Sequence, residues 1–541
     1  MSETNTAPSV EAINAAVAGR DLEGAVRMAQ QAYAAGSRAP LVMNLVAYQL
    51  ELEDRLDEAL VVLNQALKIS PRDPFVINSI GVCYSKLAKP ANALAAFEDA
   101  LILFPDFAQA HYGRGLALQS LGDKEAARLS QLRAAELEPE FAEPLGALAA
   151  LAAEDKQWDE ARSFAERSLK LDAAQPAAML AMAAVELNDG DAAAAVARID
   201  RLLAAGRLTR LHLANSLNLK GDALEALGRA PEAMECYIAA NREIRPLQVA
   251  ALNARELGLA MAERLIGYFE QADPADWRPI PESESLGGET AHVFLVGFAR
   301  SGTTLLEQIL ASHSGIVALE EKATVDPAVL EFMVDEAALN RLATLDEAGA
   351  REWRELYWNR VREFEVEPRG KVFVDKLPLH TLYLPVIAKL FPRAKILFAR
   401  RDPRDVVISC FKHRFRPNPL TVEFTDLEQT AKVYAAAMRL AEIYREKLTL
   451  PVHVHQHEHL VEDLDRATQA ICDFIGVPWD ANMRNFVETA NKRNIRTPSA
   501  GQVRKGLNSS GVAAWRKYGD SIDAIRPILD PWAEKFGYPV D

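Results

Sequence analysis

The chain has 541 residues, which is more than one hydrophobic core supports, so we expect at least two domains. Hydrophobic residues make up 49% and charged residues 25%, a globular composition, and the formal net charge of −15 argues against general binding of nucleic acid or anionic membrane. No apolar run is long enough for a transmembrane helix, and the first residues lack the pattern of a secretory signal, so we expect no membrane association.

An alanine recurs every 34 residues through the N-terminal half, at Ala59, Ala93, Ala127, Ala161 and Ala195. Prolines keep the same period at Pro71, Pro105 and Pro139, and glycines keep it at Gly81 and Gly115. Small residues allow close helix contacts, and a proline ends a helix. The pattern resembles the tetratricopeptide repeat, and three registers with one period favour it over an ordinary alanine-rich bundle.

We therefore predict a tetratricopeptide α-solenoid over residues 10–270, including a later unit around Ala233, Tyr237, Ala240 and Pro246. Residues 271–290 are rich in Pro, Ser, Glu and Gly and are predicted to be a linker. A solenoid offers a concave surface, so we expect a protein or peptide partner or self-association through this array.

Short apolar runs alternate with helical patterns in the predicted second domain, 291–541. The predicted strands are 292–296, 371–374, 394–399 and 451–455, and the predicted helices lie near 303–312, 380–390, 403–412, 427–447 and 464–475. This alternation indicates an α/β domain with a mainly parallel sheet.

The loop after the first predicted strand has the features of an anion site. Gly297 and Gly302 permit a tight backbone whose N–H groups point at one anion, and the helix after them adds its dipole. Further donors come from one arginine and three hydroxyl side chains: Arg300, Ser301, Thr303 and Thr304. The alternative is a Gly/Ser turn that merely begins a helix.

Thr303 stands where the phosphate loop of an NTPase carries its lysine. That lysine contacts the β and γ phosphates, beside a magnesium ion. Asp375 is the one candidate for holding magnesium here. The substitution favours a donor without a γ-phosphate, which makes a P-loop-like kinase or NTPase the weaker hypothesis.

The segment GFARSGTTLLEQIL resembles the 5′-phosphosulfate loop of sulfotransferases that use 3′-phosphoadenosine 5′-phosphosulfate (PAPS). The resemblance is greatest to tetratricopeptide-containing and tyrosylprotein sulfotransferases, and it covers about 290–520. It implies a P-loop-like α/β sulfotransferase domain with PAPS as the co-substrate. FARRDPRDVVISCF is similar to the family's 3′-phosphate motif, which implies that Arg401 and Ser409 contact that phosphate.

Further family residues match downstream. VRKGLNSSGVAAW resembles the element that closes over the 3′-phosphate, which implies contacts from Arg504, Lys505 and the Gly506 backbone. Ser499 lies where relatives place a hydroxyl near the sulfuryl group, and His457 stands where many relatives carry Tyr. A basic cluster between Arg393 and Arg416 is the local anion site that we expect in an acidic chain.

Sulfuryl transfer requires a base for the acceptor hydroxyl and positive charge near the transferring group. Glu321 lies 21 residues after Arg300, which matches the family's catalytic base, and Glu320 is expected to face elsewhere. Lys376 matches the lysine that relatives place near the sulfuryl group, so the resemblance implies Glu321, Lys376 and Arg300 as catalytic residues. His313 is the alternative base.

Metal binding is not expected. The four cysteines are widely spaced without a CxxC pair, which also fits a reducing cytoplasm, and alternating histidines at 453–459 lack a matching set of carboxylates or cysteines. The predicted function is transfer of a sulfuryl group from PAPS to a hydroxyl on a peptide, a sugar or a small molecule. A non-catalytic nucleotide-sensing scaffold is the remaining alternative.

Overall fold

The computed structural model describes residues 7–206, 208–252, 256–281, 285–493, 500–509 and 511–540. The chain divides into two compact units, Met1–Arg229 and Ala230–Asp541. Across the described ranges, no helix is both long enough and apolar enough to cross a bilayer.

The first unit is helical, and successive helices pack against each other. The helices are α1 Val10–Ala18, α2 Leu22–Ala34, α3 Pro40–Leu52, α4 Leu56–Ile69, α5 Pro74–Lys86, α6 Pro90–Leu103, α7 Ala108–Leu121, α8 Lys124–Leu137, α9 Ala142–Glu154, α10 Trp158–Leu171, α11 Pro176–Asn188, α12 Ala192–Ala204 and α13 Arg210–Ala226. Helices α4, α6 and α8 end two residues before Pro71, Pro105 and Pro139, as the repeat predicts.

The 34-residue registers are buried at the helix contacts. No surface is exposed at the recurring alanines Ala59, Ala93, Ala127, Ala161 and Ala195. Phe97 on α6 is also buried, and a Cβ on Gly81 of α5 would lie 2.7 Å from its ring. A Cβ on Gly113 of α7 would lie 2.4 Å from the same ring. The small residues therefore allow a phenyl ring to fill the contact between neighbouring helices, which confirms the predicted repeat architecture.

The helices of the second unit are α14 Ala230–Ala251, α15 Gly258–Gln271, α16 Thr303–Ala311, α17 Asp326–Phe332, α18 Glu336–Ala343, α19 Glu347–Glu363, α20 Leu384–Leu390, α21 Pro403–Lys412, α22 Leu427–Lys447, α23 His457–Glu462, α24 Leu464–Ile475, α25 Phe486–Lys492, α26 Ala500–Val503 and α27 Arg526–Lys535. Short 3-10 helices span Pro378–Tyr383, Thr421–Thr425, Ala481–Asn485 and Ala514–Ile522, the last of which is interrupted by a kink at Gly519. Its strands are β1 Ala291–Gly297, β2 Ile316–Glu320, β3 Val372–Lys376, β4 Lys395–Arg400 and β5 Val452–Gln456.

The five strands form a parallel sheet in the order β2-β3-β1-β4-β5. Strand β1 is central and buried from His292 onward, as a parallel strand with both faces covered must be. One face packs on α16 and α24 through residues such as Leu295 and Leu397, and the other carries aromatic side chains such as Phe294. This confirms the predicted parallel α/β fold. The sequence patterns did not predict β2 or helices α17–α19.

Helices α14 and α15 belong to the second unit, although the predicted repeat array extends to residue 270. The Asn241 side chain donates a hydrogen bond of 2.8 Å to the Phe411 carbonyl, and Arg245 donates one of 3.0 Å to the Val422 carbonyl. Pro246 lies inside α14, so it does not end that helix as predicted. The domain bounds 10–270 and 291–541, and the linker between them, remain predictions.

The contact of Gly81 with Phe97 makes a stability prediction. Alanine normally favours a helix over glycine, but a Cβ at this position would overlap the buried ring. We expect Gly81→Ala to destabilise the protein by about 1–3 kcal/mol in thermal or urea unfolding. Gly267→Ala on α15 is the control, because its Cβ would meet no atom within 4 Å. Equal stability of Gly81→Ala and the wild type would contradict the repeat packing.

Candidate functional site

The predicted anion loop joins the end of β1 to the start of α16, and two of its glycines have no room for a side chain. A Cβ on Gly297 would lie 2.4 Å from the Ala399 carbonyl oxygen. Gly302 has a left-handed φ of 92°, and a Cβ there would lie 2.6 Å from Nδ1 of His457. The loop therefore passes between β4 and His457 only because both residues are glycine.

Hydrogen bonds inside the unit hold the loop in shape. The Gly297 amide donates to the Thr381 hydroxyl at 3.0 Å, and that hydroxyl donates back to the Gly297 carbonyl at 2.6 Å. The Phe298 amide donates to the Ser301 hydroxyl at 3.0 Å, and this hydroxyl donates to the Phe298 carbonyl. The Ser301 proton is thus used within the loop, which differs from its predicted role as a donor to the anion. Thr381 was not predicted at all.

The first turn of α16 lies directly after the anion loop. Its N-cap is Gly302, which has no side chain that could cap the helix. Thr303 and Thr304 begin the helix, and both are buried. The N-terminal N–H groups of a helix carry partial positive charge and bind anions. This end of α16 therefore has the geometry that an anion cradle requires.

Arginines from two elements meet at the loop. The Arg300 Nε donates to the Ser409 hydroxyl of α21 at 3.0 Å, and Arg300 has a left-handed φ of 69°. Burial lowers the pKa of Arg300 to about 10, and the charge of Arg401 contributes to this decrease. Arg401 donates to the Arg300 carbonyl at 3.4 Å and to the Gly511 carbonyl. The structure thus brings together Arg300, Arg401 and Ser409, which the sequence places up to 109 positions apart.

Two other members of the basic cluster form their contacts within the fold. Arg404 is buried, pairs with Asp402 at 2.8 Å and stacks on Trp515 at 4.0 Å. Lys395 donates to the Phe474 carbonyl at 2.7 Å. These two cations stabilise the fold, which corrects the prediction that they belong to a shared anion site. Lys395 begins β4 and Arg404 lies on α21, so their side chains lie on different elements.

Lys376 is the centre of a group of charged side chains. It ends β3, is fully buried and donates to Glu321 Oε1 at 2.8 Å. Its Nζ lies 3.4 Å from Glu307 Oε2 and 3.9 Å from Glu320 Oε1. Three carboxylates from β2, its following loop and α16 therefore surround one buried ammonium group. Such a buried charge requires these partners.

Glu320 and Glu321 have different surroundings. Glu320 is the last residue of β2 and is paired with Lys376 in the sheet register. Glu321 has a left-handed φ of 42°, its side chain is 36% exposed, and its amide donates to the Lys376 carbonyl at 2.8 Å. The expectation that Glu320 faces elsewhere is wrong, because both carboxylates reach the same ammonium. Only that of Glu321 is substantially exposed to solvent.

Glu307 is a member of this group that sequence reasoning missed. It is fully buried on α16, and its Oε1 forms an ion pair of 2.9 Å with Arg493. Arg493 also donates to the Ala318 carbonyl at 2.9 Å. The sequence did contain a signal for Glu307, because it lies within an apolar helix pattern four residues after Thr303. A glutamate that is buried in this way needs a cation beside it.

The structure describes only part of the segment that is predicted to contact the 3′-phosphate. Arg504 is exposed and donates to the carbonyls of Ala490 and Arg493, each at 3.4 Å. Lys505 is exposed, and Gly506 has a left-handed φ of 88°. Ser499 lies outside the described residues. No described contact joins Arg504 or Lys505 to the loop at 297–302.

The contacts of His313 and Asp375 argue against two alternative roles, those of a catalytic base and of a magnesium ligand. His313 uses both ring nitrogens: Nε2 lies 2.7 Å from the Pro478 carbonyl and Nδ1 accepts from the Gly315 amide at 2.9 Å. Asp375 is buried and accepts from Thr324 and Tyr357 at 2.7 Å each, and burial raises its pKa to about 6. His313 is thus not placed as a base, nor Asp375 as a magnesium ligand. In the ranges that the structure describes, no three His, Cys, Asp or Glu residues form a potential metal site.

The crowding of carboxylates makes a pH prediction for Glu320. Burial raises its pKa to about 6, with a further increase from Glu307, while Lys376 acts in the opposite direction. The folded protein then holds the proton more tightly than the unfolded chain. The stability from this group is present below pH about 4.5 and is lost as the pH rises through about 6.

Glu320→Gln removes this titration. Between pH 4.5 and 7.5, the wild type should lose stability relative to Glu320→Gln by up to about 2 kcal/mol in urea unfolding. The exposed Glu355, paired with Arg351 at 3.0 Å, provides the matched control Glu355→Gln, which should shift by less than about 0.5 kcal/mol. A difference between wild type and Glu320→Gln that does not change with pH would contradict the raised pKa of the buried Glu320.

Comparisons with known proteins give matches in both the N-terminal and the C-terminal half of the chain. Residues 292–481 match the sulfotransferase family, and residues 108–141 match the tetratricopeptide repeat. An uncharacterised protein of Aquifex aeolicus is 28% identical over 257 residues, which cover 46% of this chain and 33% of that protein. The matched part is thus about a third of the Aquifex protein's length.

Protein-tyrosine sulfotransferase A of Caenorhabditis elegans is 26% identical, and the match covers 46% of this chain and 67% of the relative. Protein-tyrosine sulfotransferase 1 of Danio rerio is 24% identical, with coverage of 46% and 72%. A crystal structure of a tetratricopeptide repeat protein from Parabacteroides merdae aligns with 45% of this chain and 97% of its own, at 19% identity and a TM-score of 0.33. The chain is therefore similar to tetratricopeptide repeats over residues 108–141 and to the sulfotransferase family over residues 292–481.

Proposed function

We propose that this protein transfers a sulfuryl group from PAPS to a hydroxyl group of an acceptor. The observation that carries the proposal is the contact of Lys376 Nζ with Glu321 Oε1, at 2.8 Å. The loop residue Arg300 interacts electrostatically with the same Glu321 carboxylate. A cation, a carboxylate and an anion cradle then lie together, as transfer of a charged group to a hydroxyl requires.

The residues suggest a single in-line displacement. The acceptor oxygen attacks sulfur and forms the new S–O bond, while its proton passes to the Glu321 carboxylate. The bond between sulfur and the 5′-phosphate oxygen breaks, and adenosine 3′,5′-bisphosphate leaves with the electron pair. Lys376 and the first N–H groups of α16 stabilise the charge that develops on that oxygen.

PAPS fits this cradle better than a nucleoside triphosphate. The lysine that would bind the β and γ phosphates is replaced by Thr303, whose side chain is buried at the start of α16. The acid that would hold magnesium, Asp375, already accepts two hydrogen bonds. Arg401 and Ser409 are the residues that we propose for the 3′-phosphate, with Arg504, Lys505, Gly506 and Ser499 as further donor contacts.

The proposed acceptor is a hydroxyl group on a peptide, a sugar or a small molecule. Two of the relatives are protein-tyrosine sulfotransferases by name, which makes a peptide tyrosine the first acceptor to test. A protein or peptide partner, or a second copy of the chain, is proposed for the repeat array. We also propose a cytoplasmic location, which is consistent with the buried thiols of Cys83, Cys410 and Cys472.

Donor binding tests the cradle. PAPS at 100 times its dissociation constant should stabilise the protein by about 2.7 kcal/mol in thermal unfolding, and Mg-ATP should stabilise it far less.

Arg401→Ala should weaken PAPS affinity by about ten- to a hundred-fold, because a charged hydrogen bond is lost, and Ser409→Ala should weaken it less. Arg416→Ala is the control, since Arg416 is an exposed residue of the same basic run. Stabilisation by Mg-ATP rather than PAPS would overturn the donor assignment.

Replacement of the proposed base tests catalysis. Glu321→Gln keeps the size of the side chain and can still accept from Lys376, but it cannot take up a proton. Turnover with PAPS and a tyrosine peptide should fall by about 10²–10⁴ with little change in PAPS affinity. Glu320→Gln, on the adjacent and less exposed carboxyl, should lose less than about ten-fold. Equal losses in both variants would indicate that the pair only supports Lys376.

A further inference from the structure

A cavity of about 220 Å³ lies on the face of the sheet opposite α16, beneath α22 and α27. Strands β4 and β5 supply its floor through Ile396, Phe398 and Val452, and α22 supplies its wall through Met438 and Ala441. These side chains are apolar, and the two from β4 and the two from α22 are buried. An apolar space of this size accommodates the hydrocarbon part of a small molecule.

Charged residues line the same cavity: Arg400, Arg445, Lys535 and Glu442. Glu442 forms an ion pair with Lys535, so these two charges balance each other. The other two charges are the guanidiniums of Arg400 and Arg445. Among the residues that the structure describes, no carboxylate forms an ion pair with either of them.

Arg400 lies at the cavity with one of its donors, Nε, unsatisfied. Its guanidinium carbon lies 4.4 Å from the ring centroid of Phe536, and its Nε is buried without a hydrogen-bond partner among the described residues. A buried, unpartnered donor in a native fold costs free energy and calls for a partner. Burial lowers the pKa of Arg400, and the charge of Arg445 lowers it further, while Tyr538, Tyr434 and Glu458 act in the opposite direction. An anion between the two guanidiniums would relieve both the missing hydrogen bond and the repulsion.

We propose that this cavity binds a small organic anion, an apolar body that carries one carboxylate. The body lies on Phe398 and Met438, and the carboxylate lies between Arg400 and Arg445. Guanidinium groups bind carboxylates through paired hydrogen bonds, which gives the site its selectivity for an anion. None of the lining residues belongs to the loop at 297–302 or to the group around Lys376. The inference therefore does not depend on the proposed sulfuryl transfer.

Calorimetry of the full chain with three probes tests the site. The first is 4-phenylbutyrate, the second is the neutral 4-phenylbutanol, and the third is acetate. We expect saturable binding of 4-phenylbutyrate with a dissociation constant of about 1 mM or tighter, and at least ten-fold weaker binding of the other two, because each lacks one half of the recognised ligand. Equal binding of the butanol would overturn the anion site.

Variants locate the binding. Arg445→Gln should weaken 4-phenylbutyrate at least ten-fold, and because Arg445 is exposed this variant should fold normally. Ala441→Phe should fill the cavity and abolish binding. Arg439→Gln is the matched control on α22, since Arg439 pairs with Glu270 at 3.0 Å and does not line the cavity. No binding to the wild type, or equal binding to Arg445→Gln and Arg439→Gln, would overturn the proposal.

Discussion

The positive charge of Lys376 has no solvent exposure, and the second unit is arranged so that this charge is compensated. Glu307 reaches it from α16, Glu320 from the end of β2, and Glu321 from the turn that follows. An isolated buried ammonium is too costly to persist, so the contact of these elements with the end of β3 is required by electrostatics as well as by packing. The same arrangement brings three carboxylates together, and burial, with a further contribution from Glu307, raises the pKa of Glu320 to about 6.

The anion loop depends on a different constraint, which is space. Gly297 and Gly302 are surrounded so closely by Ala399 and His457 that neither tolerates a Cβ. Thr381 then fixes the backbone at Gly297 with two hydrogen bonds. The result is a helix N-terminus aimed at the carboxyl edge of a parallel sheet, which is where ligands bind in open α/β folds. The group around Lys376 lies at this edge, since Lys376 is the last residue of β3.

The sequence predicts the regular parts of this molecule well. The 34-residue alanine period becomes a row of fully buried helix contacts, and α22 and α24 begin and end at the predicted residues. The sequence did not predict strand β2 because IVALE is short and ends in a charged residue, Glu320. The partner of Glu320 in the sheet is Lys376, which is far away in the sequence. Helix α14 extends past Pro246, and its residues Asn241 and Arg245 donate hydrogen bonds to the carbonyls of Phe411 and Val422. Such tertiary contacts override local helix signals.

At the candidate site, motif spacing predicts which residues matter but not how they are partnered. Thr381 and Arg493 lie outside every motif, and Glu307 lies within the GFARSGTTLLEQIL segment without a predicted role. The importance of all three comes from contacts between residues far apart in the chain. The basic run at 393–416 is the opposite case, since its charges are adjacent in sequence and separate in space. Arg404 and Lys395 stabilise the fold, Arg401 reaches the loop, and Arg400 lines a cavity.

A crystal structure with adenosine 3′,5′-bisphosphate bound is the most direct test of this account. We expect the 5′-phosphate to lie within hydrogen-bonding distance of the N–H groups that begin α16, and the 3′-phosphate to contact Arg401 and Ser409. The side of the 5′-phosphate where the sulfuryl group attaches should face Lys376 and Glu321. A nucleotide bound elsewhere, or bound with its two phosphates exchanged, would contradict the proposed sulfuryl transfer.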